Sequence, residues 1–332
     1  MKKILNDPYA YVDEMLDGLC AAHPEFYARP APDAFVITRP GAPVQGKVGI
    51  VTGGGSGHLP VFTGYVGEGL LDAAAIGPVF ASPSADQMIE AIRAANGGKG
   101  VLRLYGNYGG DVMNFDMAGD MAEMEDIPTT SVKLADDVAS AKPEEAEKRR
   151  GVAGIVYAYK IAGAAAAAGL ELEEVTRIAQ KAADACRSMG VALTPCTVPQ
   201  SGKPTFEIGE DEMELGMGIH GEPGVRRGPL LKADDMADEM IDALLADRPL
   251  AKGDRVSPLV NSLGATPPEE LYILYRKVKA RLEGLGVEIV MPLVGRYATS
   301  MEMAGASFTF CKLDAELETY LKAPCACAFW RV

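Results

Sequence analysis

The sequence has little histidine, no long apolar run and no excess of positive charge, and each shortage removes a class of function. Only three histidines, at 23, 58 and 220, stand among 332 residues, so imidazole chemistry has few candidates. Hydrophobic residues make up 48% of the chain, yet no stretch approaches the ~20 consecutive apolar residues of a membrane span. Residues 1–30 carry charges throughout and lack the apolar core of a secretory leader, so a cytoplasmic product without membrane association is expected. A formal net charge of −14 argues against nucleic acid or an anionic lipid surface as partner and leaves a neutral metabolite open. The cysteines, at 20, 186, 196, 311, 325 and 327, are not spaced as a disulfide scaffold. Cys325-Ala-Cys327 lacks the second pair or histidine of a structural zinc site. No metal is therefore expected, and a tail that simply packs is the plainer reading.

What the sequence does have is glycine in three concentrated stretches. In the first, VTGGGSGHLP, the apolar run Val48–Val51 reads as a buried strand. Gly53, Gly54, Gly55 and Gly57 follow with only Ser56 between them, which reads as a turn whose bare backbone could point N–H groups at a small polar ligand. His58 closes it. A flexible surface turn is the bland alternative. The second stretch, Gly106 to Asp111, follows an apolar strand at Val101–Tyr105, and the third, His220 to Gly224, follows a strand over Glu212–Ile219.

The remaining elements set these turns in order. Helices are expected over Pro8–Tyr27, Ser84–Ala95, Asn114–Glu125, Ile155–Ala168 and Leu172–Met189, the last closed by Gly190, with strands at Ala34–Thr38, Leu70–Ile76 and Thr129–Leu134. Lys142–Arg150 reads as a solvated charge run. Strand, glycine turn, helix, strand is the rhythm of an α/β protein with a mostly parallel sheet covered by helices. Beyond Gly190 come strands at Val191–Pro195, Val256–Leu263, Val287–Pro292 and Ser307–Lys312, and helices at Asp234–Leu245, Pro268–Leu285 and Ala315–Leu321. Two packed lobes are expected, 1–190 and 191–332.

Three analogous strand ends thus present His58, Asp111 and His220, and in open α/β sheets the crevice outside the carboxyl ends of the strands is where ligands bind. Each has a plainer reading alone: a satisfied histidine, or an Asp capping the next helix. Together they mark a shared pocket. The first glycine stretch lacks the Lys-Ser/Thr of a phosphate loop, and no acidic residue completes a dinucleotide fingerprint, so this chain is not expected to bind nucleotide itself.

GGGSGHLP at 53–60, GNYGGDVMNF at 106–115 and ELGMGIHGEPG at 214–224 resemble the dihydroxyacetone kinase family, in particular its substrate-binding K subunit, and the likeness runs through the whole chain. The resemblance implies a homodimer of two-lobed α/β protomers. It implies that His220 holds a short ketose as a covalent hemiaminal and that His58 hydrogen-bonds the adduct. Asp111 would accept the proton of the hydroxyl that attacks phosphorus, with Gly54, Gly55 and Ser56 as the pocket wall. ATP with magnesium, or ADP with magnesium recharged in place by a phosphotransferase-system relay, would sit on a separate, helical L subunit. The alternative within the family is a regulatory protein that senses ketose without turnover.

Departures from the family pattern bear on substrate. Leu59 stands where the pattern GHEP has a carboxylate, and Gly106 and Gly109 stand where KNYTGD has lysine and threonine. Lost side chains beside the ketose leave room for a longer one, so erythrulose joins dihydroxyacetone as an expected substrate.

Overall fold

The computed structural model describes residues 2–332. Helix α1 (Tyr11–Ala22) precedes a five-stranded sheet made of β1 (Val36–Thr38), β2 (Gly49–Ser56), β3 (Ala73–Val79), β4 (Val101–Gly106) and β5 (Thr129–Leu134). Helix α2 (Ala85–Ala95) joins β3 to β4, and α3 (Gly109–Glu123) joins β4 to β5. Ser84 and Gln87 form the capping box that starts α2. The strand order is β1-β3-β2-β4-β5, antiparallel only between β1 and β3. The chain leaves β2 toward one side and returns on the other, so the carboxyl ends of β2 and β4 flank a topological switch point. Pairing shows the opening directly: β2 follows β3 as far as Ser56 but leaves β4 after Val51.

Helices α4 (Ile155–Ala167) and α5 (Leu172–Ala185) lead to β6 (Cys186–Thr194), β7 (Glu212–Leu215) and β8 (Arg226–Pro229). Then follow α6 (Ala233–Asp247), β9 (Arg255–Ser262), α7 (Pro268–Gly284), β10 (Glu288–Ile289), β11 (Leu293–Gly295), β12 (Ala304–Leu313) and α8 (Ala315–Lys322). This second sheet has the order β10-β9-β12-β6-β7-β8, with β11 also beside β9. It is parallel only where β10 and β11 meet β9. The architecture is α/β with two sheets, one mostly parallel and one mixed, covered by helices.

Two features join the sheets. Helix α4 is buried along nearly its whole length. Its Tyr159 hydroxyl meets Thr52 of β2 at 2.7 Å, and its Tyr157 hydroxyl donates to the Ser257 carbonyl of β9 at 3.0 Å. The second feature is a staple between residues 57–59 and 299–301. Met301 N–H donates to Gly57 O at 2.7 Å, and the Thr299 hydroxyl donates to Leu59 O at 3.0 Å.

Several expectations are corrected. The glycine run is not a turn: Gly53–Gly55 lie within β2, and only Gly57, at φ +98°, needs a left-handed backbone. These glycines are required by close packing, since a Cβ on Gly54 would stand 2.3 Å from the Phe62 ring and one on Gly55 2.6 Å from Ala81 N. Helix α5 stops at Ala185 and not Met189, because Cys186–Thr194 pairs along β12, and that ladder overrides local helix propensity. The second sheet therefore begins ahead of Gly190. Helix α3 begins at Gly109, earlier than the periodicity suggested. The Lys142–Arg150 run is not simply solvated. Arg149 is fully buried in a paired contact with Asp247, and Arg150 turns inward to Asp137 and the Gly216 carbonyl. Strands β8 and β11 have no sequence signal strong enough to have been read.

Gly54→Ala should cost about 1–3 kcal/mol by overpacking against Phe62, read by denaturant unfolding. Gly109→Ala, where no atom lies within 4 Å of a Cβ, should be neutral or slightly stabilising. Equal effects at the two positions would contradict this packing account.

Candidate active site

Three chain segments, two loops and the first turn of a helix, each bring one residue to the switch point. His58 stands two residues past β2, Asp111 lies in the first turn of α3 after β4, and His220 lies five residues past β7. The ring centroids of His58 and His220 are 4.8 Å apart, edge to face. Phe80 packs against both, at 4.9 Å from His58 and 5.4 Å from His220, and Tyr108 stands edge-on to His220 at 5.0 Å. His23 ends α1, its backbone N–H bonded to Leu19 O, and takes no part.

The hydrogen bonds fix which nitrogen of each ring holds the proton. His58 Nδ1 lies 2.7 Å from the Thr299 carbonyl oxygen, which can only accept, so Nδ1 carries the hydrogen and Nε2 keeps its lone pair. That Nε2 is buried with no protein partner. Burial, then the neighbouring His220, push the His58 pKa down to about 3, so its ring is neutral at physiological pH. His220 Nδ1 lies 2.8 Å from Glu222 Oε1. Burial alone would raise Glu222, but hydrogen bonds and charge from His220 outweigh it and hold the carboxyl down to about 2. Glu222 is thus an acceptor and Nδ1 of His220 carries the hydrogen, which leaves Nε2 as the nitrogen whose lone pair serves as nucleophile when the ring carries one proton.

Asp111 is the opposite case. Burial pushes its pKa up to about 6, with the Ser82 hydroxyl and the charge of His220 pulling it partly back. Its Oδ1 has no partner. A carboxylate poised near neutrality suits proton acceptance from an alcohol.

Of the expected wall residues, Gly54, Gly55 and Ser56 form the end of β2 just ahead of His58, and the buried Ser56 hydroxyl is committed to the Gly77 carbonyl at 2.8 Å. Leu59 does not face the histidines. It lines a separate cavity of about 460 Å³ behind the staple, where the apolar Tyr11, Met15 and Phe329 are joined by the charged Lys3, Arg296 and Glu302. Glu222, Phe80, Thr299 and Arg150 were not singled out from sequence. Glu222 carried a signal, two residues after His220 in HGEPG; Thr299 and Arg150 carried none, since their roles depend on contacts between lobes. Among the described residues no group of three or more His, Cys, Asp or Glu is placed to hold a metal, and no helix is long and apolar enough to cross a membrane.

This two-sheet fold is that of dihydroxyacetone kinase: the C. freundii enzyme matches with a TM-score of 0.90 at 32% identity, over 99% of this chain and 60% of that one. The chain belongs to the Dak1 domain family, which matches residues 17–329. It is 45% identical, over the full length of both chains, to the dihydroxyacetone-binding subunit DhaK of a Listeria innocua phosphotransferase-system-dependent dihydroxyacetone kinase. An L-erythrulose kinase of Pectobacterium atrosepticum is 43% identical over 98% of this chain and 55% of its own length. A dihydroxyacetone kinase operon co-activator, DhaQ, matches with a TM-score of 0.88 at 33% identity, over 96% of this chain and 98% of that one.

Asp111 gives a stability test with a defined sign. Its folded pKa of about 6 lies above the unfolded value of ~3.9, so its contribution is fully present below pH ~4 and is lost as pH rises through about 6. Asp111→Asn should therefore be more stable than the native protein at pH 7–8, by about 1–3 kcal/mol, with the gain vanishing below pH ~4. A gain independent of pH, or a loss at pH 7, would show that Asp111 is not desolvated.

Proposed function

We propose that this chain is the ketose-binding subunit of a dihydroxyacetone-type kinase. It holds a C3–C4 ketose as a hemiaminal on His220 while a separate subunit delivers the phosphoryl group. The observation that carries the proposal is the pairing of a tautomer-locked His220, with Nε2 free, and a buried Asp111 whose pKa is raised. In capture, the Nε2 lone pair forms a bond to C2 and the carbonyl π pair moves to oxygen, which takes up a proton. Glu222 offsets the positive charge that develops on the ring. Glycerol has no carbonyl and escapes. His58 Nε2 then accepts a hydroxyl of the adduct, and Asp111 accepts the proton from the terminal hydroxyl as it attacks phosphorus. Gly54, Gly55 and Ser56 supply the wall.

The nucleotide and its magnesium would be held by the partner, an L-type subunit fed by ATP or by a phosphotransferase-system relay, where the metal would supply charge neutralisation for the phosphates. Homodimerisation and a cytoplasmic location complete the reading. The likeness to the co-activator supports a second reading, capture without turnover. Asp111 favours the kinase, because a sensor has no need of a base.

Gly109 is exposed at the start of α3, two residues ahead of Asp111, with no atom within 4 Å of a Cβ, and we assign to that open space the acceptance of the longer erythrulose. Non-denaturing mass spectrometry should show the protein gaining the mass of one whole ketose, without loss of water, from dihydroxyacetone or erythrulose and nothing from glycerol. His220→Ala should abolish the gain, and an adduct surviving in that variant would rule out His220. Asp111→Ala should keep the adduct and lose phosphoryl transfer. Gly109→Thr should weaken capture of erythrulose about tenfold relative to dihydroxyacetone; an unchanged ratio would remove Gly109 from the account of substrate length.

A further inference from the structure

Three residues grouped around His220 each carry a buried polar atom without a hydrogen-bond partner: His58 at Nε2, Asp111 at Oδ1 and Tyr108, whose ring stands edge-on to His220, at Oη. Leaving a buried donor or acceptor unsatisfied costs ~1–3 kcal/mol, so three at one site mark a place where a ligand supplies the partners. Two of these atoms already have roles. Tyr108 has none.

A triose added to His220 presents three hydroxyls: the new one at C2 and those on C1 and C3. The number matches the three orphaned atoms, and their chemistry sorts them. His58 Nε2 can only accept, because Nδ1 carries the hydrogen given to Thr299. Ionised Asp111 can only accept, and takes the hydroxyl that attacks phosphorus. Tyr108 can both donate and accept, which suits a spectator hydroxyl that keeps its proton throughout the reaction.

Position supports the same assignment. Tyr108 is the residue from which α3 starts, three positions ahead of Asp111, with its backbone N–H bonded to Gly106 O at 2.9 Å. Its ring lies back over the end of β4, where a Cβ on Gly106 would stand 3.3 Å from two ring carbons. Glycine at 106 therefore lets the aromatic ring stand beside His220. The charged groups that act on the phenol are Glu222 most strongly, then Arg150, Asp137 and Asp136, yet none of them hydrogen-bonds its oxygen.

We propose that Tyr108 contacts the substrate, its phenol oxygen hydrogen-bonding the ketose hydroxyl on the carbon that is not phosphorylated. The site thereby selects ketoses hydroxylated on both sides of the carbonyl. This rests on capture at His220. Hydroxyacetone, which keeps one flanking hydroxyl for Asp111 and lacks the other, is the probe.

Capture affinities for dihydroxyacetone and hydroxyacetone are measured by non-denaturing mass spectrometry on the native chain and on Tyr108→Phe, which preserves the ring packing. The native chain should prefer dihydroxyacetone, and the variant should lose about tenfold for dihydroxyacetone, as one neutral hydrogen bond predicts, and nothing for hydroxyacetone. Equal losses for both ketones would make Tyr108 a positioning residue acting through Glu222 and His220, and overturn the proposal. No loss for either would also overturn it. A native chain that captures neither ketone overturns the His220 reading itself, a failure that the variant does not produce.

Discussion

The site depends on holding an imidazole from one lobe against an imidazole from the other in a place largely closed to water. His58 belongs to the parallel sheet and His220 to the mixed one, and they meet because residues 57–59 are stapled to residues 299–301. One bond of that staple is also chemical. The Thr299 carbonyl that anchors the turn is the group that fixes the His58 proton on Nδ1. Packing, tautomer and desolvation of His58 are therefore one constraint. Loosening the lobes would free the ring, admit water and return its pKa toward ordinary values.

Around this contact the two carboxyl groups are pushed apart. Glu222, tied to His220, is held down to about 2, and Asp111, buried with little to offset the loss of water, is raised to about 6. The first stays charged at any working pH and can direct His220; the second can gain and lose a proton near neutrality. Two residues of one type thus take two roles through environment alone. Arg150 adds a mechanical part, since its bonds to Asp137 and to Gly216 O tie the loop bearing His220 to the end of β5.

Much of this was legible in the chain. Ser84 and Gln87 announced α2, Thr129–Leu134 is β5 as read, and His58, Asp111 and His220 were set apart by following apolar strands. The rest depended on distant partners. Glycine permits a turn and also permits close packing, and only Phe62 and Ala81 show that Gly54 and Gly55 serve the second use. Arg149 and Arg150 sit in a run of charges that looks solvated until Asp247 and Asp137 are brought to them. Cys186–Thr194 looks helical until β12 offers a ladder. Leu59 looked like a change beside the substrate and lines a different cavity.

The central claim is that His220, its Nδ1 proton held by Glu222, binds the ketose carbonyl through Nε2. The most direct measurement is NMR of histidine-¹⁵N-labelled protein with dihydroxyacetone ¹³C-labelled at C2. The account predicts that C2 moves from the carbonyl to the tetrahedral range and couples to Nε2 of His220, with Nδ1 still facing Glu222. A C2 signal that stays in the carbonyl range, or that couples to Nδ1 or to another histidine, would contradict it.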